Sequence, residues 1–502
     1  MKLAFIFTSH MVLQRNKPIR FWGTGSRPVA VVFDGEEVTA PCIDGRWQAV
    51  FPPRAAGGPH TATFRDGDHC VTLEDIMVGE VWIAAGQSNM EHPTMAVEGG
   101  FSAAEAEEND QIRFFTVPHF TMPGYESRRW LFEPVLIQDT PWCVCTAENA
   151  LHFSAIGFFF AVRLQKLLQV PVGIISCNQG GTNAETWIPQ EAIDTLPCLS
   201  HAKQKQEEIL SKLDLADYQQ KYRRYLDMLD MQCRSVDAMW AARQLSAYDY
   251  NRIIGVKPLP PLPLGPWDIN WPGHLYETMV SRITGYGVKG VLWYQGESNA
   301  WENYRKHNYA AVFGTMVEQW RQKWEDSIPF LTVQLAPYGT DVYPNNWPLL
   351  IQQQVDAAHS IPGVWMATSS ELGESDNIHP VRKEEFAHRL FLAAKKEIYG
   401  QDGCYAGPVL RLAKRVEDGI LLSFDHADGG LVCDGPVAEL EVCGSDGIFH
   451  SASGEIRGDK LFVRCAAISE LGRVRLGNQN FFCLNLYNGA GILAAPFDVE
   501  MK

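Results

Sequence analysis

Two kinds of hydrophobic pattern follow one another along the chain. Residues 1 to about 75 alternate short apolar runs with turn signals: Pro28-Val29-Ala30-Val31-Val32-Phe33 stands ahead of Asp34-Gly35, and Asp44-Gly45 leads into Arg46-Trp47-Gln48-Ala49-Val50-Phe51. Short runs of this kind between Gly and Asp turns predict antiparallel strands, and so a small β domain. From Val78 onward the runs become continuously apolar and are followed by helical segments, as in Val81-Trp82-Ile83-Ala84-Ala85, Val172-Gly173-Ile174-Ile175-Ser176 and Val288-Lys289-Gly290-Val291-Leu292-Trp293-Tyr294. That alternation predicts buried strands of an α/β sheet. After Tyr399-Gly400 the helix signals stop, and Gly419-Ile420-Leu421-Leu422-Ser423-Phe424 and Lys460-Leu461-Phe462-Val463-Arg464-Cys465 return to the β pattern.

The expected organisation is therefore a β-sandwich-like domain over 1–75, an α/β domain over 76–400, and a second β domain over 401–502. Residues 199–250 interrupt the α/β rhythm with a charged helical stretch that begins around His201-Ala202-Lys203-Gln204-Lys205 and precedes the proline run Pro258 to Pro263. It reads as a helical insertion, with two roles open: a solvated helical pair, or a lid over a site. No period of 20 to 50 residues recurs, so a solenoid or propeller is not expected.

Size and charge narrow the function classes. A chain of 502 residues exceeds the roughly 250 to 300 at which single cores stop growing, so several domains are expected. With 46% apolar and 20% charged residues the chain has the balance of a globular protein. A formal net charge of −16 argues against a nucleic-acid partner, which needs clustered Lys and Arg to neutralise phosphates. No run approaches the roughly 18 uninterrupted apolar residues of a membrane span, and Met1-Lys2-Leu3-Ala4-Phe5-Ile6-Phe7 reads as a first strand rather than a leader. Twelve scattered cysteines without a C-x-x-C pair give neither zinc spacing nor a compact disulfide framework, and a reducing, cytoplasmic setting is expected.

The chemistry starts at Gly86-Gln87-Ser88-Asn89-Met90, directly after the apolar run Val81 to Ala85. A serine in that place sits at the carboxyl edge of the sheet, where open α/β sheets bind ligands and helix amino termini offer N–H groups to negative charge. A serine in such a turn also serves as a helix N-cap, so the nucleophile reading needs a base. Glu374-Ser375-Asp376-Asn377-Ile378-His379-Pro380 supplies one, with an aspartate three residues ahead of a histidine in a polar loop. In a triad the imidazole takes the serine proton while the carboxylate holds the ring in the right tautomer, roles that suit His379 and Asp376. The order Ser88, Asp376, His379 is that of the α/β-hydrolases, but Met90 replaces the second glycine of Gly-x-Ser-x-Gly, and the three-residue spacing also argues against that fold.

Two further strand ends carry candidate oxyanion donors. In Asn178-Gln179-Gly180-Gly181-Thr182-Asn183-Ala184-Glu185-Thr186-Trp187 the N–H of Gly181 is the choice, and in Trp293-Tyr294-Gln295-Gly296-Glu297-Ser298-Asn299 the side-chain amide of Gln295. Each such donor is worth roughly 2.7 to 4 kcal/mol to a tetrahedral intermediate. The structural reading stays beside it, with the glycines permitting a tight turn and Gln295 capping a helix. The histidines His92, His119, His152, His359 and His388 show no metal spacing. Glu185 with Glu297 forms a weaker, glycosidase-like carboxylate pair.

These motifs together resemble the sialate O-acetylesterases, within the SGNH hydrolase group and related to the carbohydrate acetyl esterases. The resemblance takes in Met11-Val12-Leu13-Gln14-Arg15, Val78-Gly79-Glu80-Val81-Trp82 with the Ser88 segment, Gly180-Gly181-Thr182, Trp293 to Asn299, and Ile378-His379-Pro380. It implies a flavodoxin-like three-layer α/β/α core with a parallel sheet, flanked by N-terminal and C-terminal β domains, and a site of Ser88, His379 and Asp376 without metal or organic cofactor. It further implies an oxyanion hole of Ser88, Gly181 and Gln295, with Asn299 the alternative to Gln295, and substrate contacts from Gln87, Asn89, Gly180, Thr182, Trp187 and Glu297. The implied partner is a small O-acetylated sugar or oligosaccharide, with 9-O-acetylated sialic acid first and acetylxylan as the alternative. Glu371-Leu372-Gly373 and Tyr276-Glu277-Thr278-Met279 stand where relatives often carry Asp-x-Gly and Asn-Gly-Met. Trp187, Trp293, Tyr294 and Trp301 are further candidates to stack on a sugar ring, although core packing is the commoner use of tryptophan. A third function class stays open, a carbohydrate-binding protein without turnover.

Overall fold

The computed structural model describes residues 1–122, 125, 126, 141–225, 227, 228, 265–301, 303–339, 347–468 and 470–501. It is a mixed α/β fold in two compact units, Met1–Leu292 with Thr315–Pro329, and Trp293–Gly314 with Phe330–Lys502.

The first unit is organised by one long strand, His69–Gly86. Its opening residues pair antiparallel with Gly57–Asp66 and are half exposed, in keeping with one wet face. From Ile76 to Gly86 every residue is buried, and Glu80–Gly86 pairs parallel with Val172–Asn178 in register Val81↔Gly173 to Gly86↔Asn178. Val172–Asn178 pairs in turn with Asn109–Thr116, also parallel. Continuous burial is what a parallel strand covered on both faces requires. The expected division at residue 75 therefore falls inside a single strand, and what changes there is how the strand is covered.

One cover is the helix Ala155–Leu168, capped by Ser154, whose hydroxyl accepts from the Gly157 N–H at 3.2 Å. Phe160 packs on Trp82 with ring centroids 5.1 Å apart. The same Ser154 hydroxyl donates to the Met90 carbonyl at 2.6 Å, which fixes the short helix Ser88–Glu91 against the covering helix. The N-terminal strands form the expected antiparallel arrangement, with Ile19–Thr24 against Arg46–Phe51 and Val29–Phe33 against Gly57–Asp66.

In the second unit, Phe330–Val333 and Val364–Ala367 pair parallel. The helix Trp347–Ser360 buries Leu350, Ile351, Gln354 and Val355. Beyond Gly400 the regular elements are antiparallel strands, Val409–Val416 with Gly419–Asp425 and Lys460–Arg464, and Leu440–Cys443 with Arg473–Leu476. This matches the β pattern read from the sequence. Of the expected helical insertion, the helix Ser200–Lys212 is present, while 229–250 and the proline run lie outside the described residues. Among the described residues no helix is long and apolar enough to cross a membrane.

Candidate active site

Ser88 opens a short helix at the end of the buried strand. Gly86 sits at φ +139, a conformation that side-chain-bearing residues rarely adopt, and the chain turns there out of the sheet. Gln87 is the extended N-cap residue, and its carbonyl accepts from Met90 and Glu91 at 2.8 and 3.1 Å. Between Ile76 and Met90 Ser88 alone is not fully buried. The turn thus leaves one residue, Ser88, partly exposed in an otherwise closed segment.

The second donor turn lies beside it. The register Gly86↔Asn178 aligns the two strand ends, and Gln179 N–H donates to the Gly86 carbonyl at 3.1 Å. Gly180 N–H is spent on the Glu91 carboxylate at 2.6 Å, which ties this turn to the Ser88 helix. Gly181, at φ +71, is exposed, with nothing within 4 Å of where a Cβ would stand. Its carbonyl accepts from the Asn270 side chain at 2.9 Å, and among the described residues its N–H donates no hydrogen bond, which leaves it available to an oxyanion.

Asn270 also binds Asn183 through three hydrogen bonds of 2.8 to 3.2 Å, while the Asn183 carboxamide oxygen is buried without a partner. His119 donates to the Asn178 carbonyl at 2.8 Å, and burial pushes its pKa down to about 4, so it is neutral at physiological pH beside Glu91, 3.8 Å away. Thr182 and Trp187 are both fully buried and bonded to each other at 3.3 Å; they shape the turn and offer no face to solvent. Gln87 and Asn89 are buried as well.

The other candidate residues belong to the second unit. Gly296, at φ +152, turns the chain after Gln295 into the helix Glu297–Ala300. The Gln295 side chain is fully buried and its amide donates to Asn299 at 2.7 Å, so Asn299 orients Gln295. The Gln295 carbonyl accepts from Tyr309 and Gln354 at 3.1 and 3.2 Å. Glu297 is 2% exposed.

His379 lies in an irregular loop that its own side chains tie down. Glu374 accepts from Val381 N–H at 2.8 Å and from the Asn377 amide at 2.9 Å, and Asn377 in turn accepts from His379 N–H at 3.0 Å. Lys383, fully buried, donates to the Pro380 carbonyl at 2.7 Å. Burial, and after it the Lys383 charge, push the His379 pKa down to about 4, so the ring is neutral and able to accept a proton at pH 7. Burial also lowers Lys383 to about 7 against the opposing pull of Glu297 and Glu374. Asp376 is exposed and makes no hydrogen bond with His379 among the described residues.

Within each unit, then, the structure brings Ser88 together with Gly180 and Gly181, and gathers Asp376, His379 and Lys383 on one stretch of loop and helix start. Sequence reading missed Glu91, Asn270, Glu374 and Lys383. None has a motif of its own, although the Glu374 to Lys383 stretch was dense enough in charge around His379 to flag it. Among the described residues no three His, Cys, Asp or Glu side chains group in a way that could hold a metal ion.

Known proteins extend this picture. A family model described as carbohydrate esterase, sialic acid-specific acetylesterase, matches residues 238–393, the stretch that holds Gln295, Asp376 and His379. The mouse sialate O-acetylesterase is 26% identical over 88% of this chain and 82% of its own length, and the human one is 24% identical over 81% and 73%. A solved carbohydrate acetylesterase from Xanthomonas citri aligns over 100% of both chains with a TM-score of 0.76 and 28% identity. The matches span both units, and the chain is similar along most of its length to the sialate O-acetylesterases and to a carbohydrate acetylesterase.

Proposed function

We propose that this protein is a serine esterase that removes O-acetyl groups from a sugar. The observation that carries the reading is Ser88: a partly exposed residue that follows the buried run Ile76 to Gly86 at a glycine-forced turn, beside the donor turn of Gly181, in a chain whose relatives are acetylesterases along most of its length. The proposed core is the SGNH three-layer α/β/α arrangement, with β domains over 1–75 and 401–502 at its flanks.

In the proposed mechanism Ser88 attacks the acetyl carbonyl while His379, neutral at working pH, takes its proton. The N–H groups of Ser88 and Gly181, with the Gln295 amide, receive the oxyanion. Collapse expels the sugar hydroxyl, which leaves with the proton from His379. Water, activated by the same imidazole, then frees acetate from Ser88. Asp376, three residues ahead on the same loop, favours the imidazolium through its negative charge, and a turn of its side chain onto the ring N–H would also fix the tautomer.

Sialic acid O-acetyl groups, the 9-O position first, are the proposed substrate on the strength of the mammalian relatives. The full-length match to the Xanthomonas citri carbohydrate acetylesterase favours a second reading, acetyl esters of other sugars. A panel of 9-O-acetyl sialic acid, 4-O-acetyl sialic acid and acetylated xylo-oligosaccharides, scored by acetate release, separates them. Fastest release from the 9-O ester is expected. No acetate from any sugar ester would sink the esterase reading and favour a protein that only binds sugars.

A further inference from the structure

Four aromatic residues near the motifs were candidates to stack on a sugar, and burial divides them sharply. Trp187, Trp293 and Tyr294 are at most 1% exposed, whereas Trp301 is 43% exposed. Trp301 directly follows the helix Glu297–Ala300, so its Cα stands about 6 Å along the helix axis from Glu297, at a rise of ~1.5 Å per residue.

Its setting is built within the second unit. Trp301 packs against Trp347 at 6.1 Å between ring centroids and 71° between planes, and Trp347 packs against Tyr338 at 5.5 Å. Trp347 is 4% exposed and its indole N–H donates to the Ala336 carbonyl at 2.8 Å. Asn480, from the C-terminal β region, accepts from the Trp347 backbone N–H at 3.2 Å through its side chain and from the Tyr338 backbone N–H at 3.0 Å through its carbonyl, fixing the main chain that carries both rings.

The same group adjoins the histidine loop. Gly339 N–H donates to the Ser375 carbonyl at 3.1 Å, and Gly373 lies so close to Pro337 that a Cβ there would stand 2.1 Å from the Pro337 oxygen. The half-exposed indole of Trp301 packs on Trp347, Trp347 packs on Tyr338, and the residue after Tyr338 is hydrogen-bonded to the loop that carries His379, so the exposed apolar face belongs to the same packed group as that loop. Desolvating such a face against the C–H face of a pyranose is favourable and asks no charge of the ligand.

We propose that Trp301, packed on a Trp347 that Tyr338 and Asn480 hold in turn, is the stacking platform for a pyranose ring of the substrate, and so a residue that selects sugar esters over simple ones. The inference rests on the esterase reading and deepens it. The test compares kcat/KM for the best acetylated sugar of the panel with that for p-nitrophenyl acetate, in the full chain and in Trp301→Ala and Trp301→Phe. Trp301→Ala is expected to lower the sugar-to-aryl ratio about tenfold, carried by KM, and Trp301→Phe to stay within about threefold of the unsubstituted chain. The deacetylated sugar, used as a competitive inhibitor of aryl acetate hydrolysis, should bind about tenfold more weakly to Trp301→Ala.

A ratio unchanged within twofold overturns the platform. So does a parallel fall on both substrates, which marks a purely structural tryptophan, and so does a Phe variant as impaired as Ala. If the unsubstituted chain releases acetate from p-nitrophenyl acetate but from no sugar, the sugar reading has failed. The inhibitor measurement then still decides the platform: a tenfold loss in Trp301→Ala keeps it, and no loss ends it.

Discussion

The serine turn and the histidine loop are held in place by different means. Ser88 stands on regular structure: eleven buried residues of strand lead to it, from Ile76 to Gly86, and a short helix carries it away. His379 stands on irregular backbone, fixed by side chains that reach back to main chain from Glu374, Asn377 and Lys383. The first arrangement puts position into the sheet and tolerates change nearby. The second concentrates it in a few polar contacts, so single substitutions there should reach the chemistry through geometry and charge.

The comparison breaks most visibly at the nucleophile. Ser88→Ala should lower acetate release on the order of 10⁴-fold or more with the circular dichroism spectrum unchanged, because backbone hydrogen bonds to the Gln87 and Ser88 carbonyls hold the turn. Residual activity above a tenth would remove Ser88 from the chemistry. Asp376→Asn should lower kcat about 10²-fold at constant KM. That is less than a buried triad carboxylate would cost, since Asp376 is exposed and water screens its charge. An effect below threefold would leave Ser88 and His379 acting as a dyad.

Loop anchoring comes next. Glu374→Gln weakens two charge-assisted acceptor contacts, to Val381 and Asn377, at about 1–3 kcal/mol of local stability, and should cost about tenfold in kcat. A mutation of equal stability cost among the N-terminal strands should leave kcat alone; if both lower it equally, the distinction between the two regions fails.

The smallest effect concerns pH. A base must be unprotonated, and burial together with the Lys383 charge lowers His379 from 6.5 to about 4, so kcat/KM should persist from pH 7 to near 5 and fall around pH 4. Lys383→Met removes a positive charge that disfavours the imidazolium, so the acid limb should move to higher pH. The move should stay short of 6.5, because burial is the larger cause. A limb that stays put or moves to lower pH contradicts the sign.

What was legible in the sequence follows from this contrast. The run into Gly86 and the runs at Val172 and Gly290 have the continuous apolar character of covered parallel strands, and their ends located Ser88, Gly181 and Gln295. The division read at residue 75 falls within one strand, His69–Gly86, because the change of pattern there marks a change in how the strand's faces are buried. Glu91, Asn270 and Glu374 act through tertiary hydrogen bonds that leave no periodic trace. Nor does a tryptophan announce its exposure: Trp187 and Trp301 read alike in the chain, yet one is closed in the core and the other opens to solvent.

The central claim is that Ser88 becomes covalently acylated, and trapping it is the direct test. The full chain treated with diethyl p-nitrophenyl phosphate should gain a single diethylphosphoryl group on the peptide that contains Ser88, in step with the loss of acetate release, and Ser88→Ala should gain none. Complete inactivation with the adduct on another residue, or full activity retained with Ser88 modified, would contradict the account.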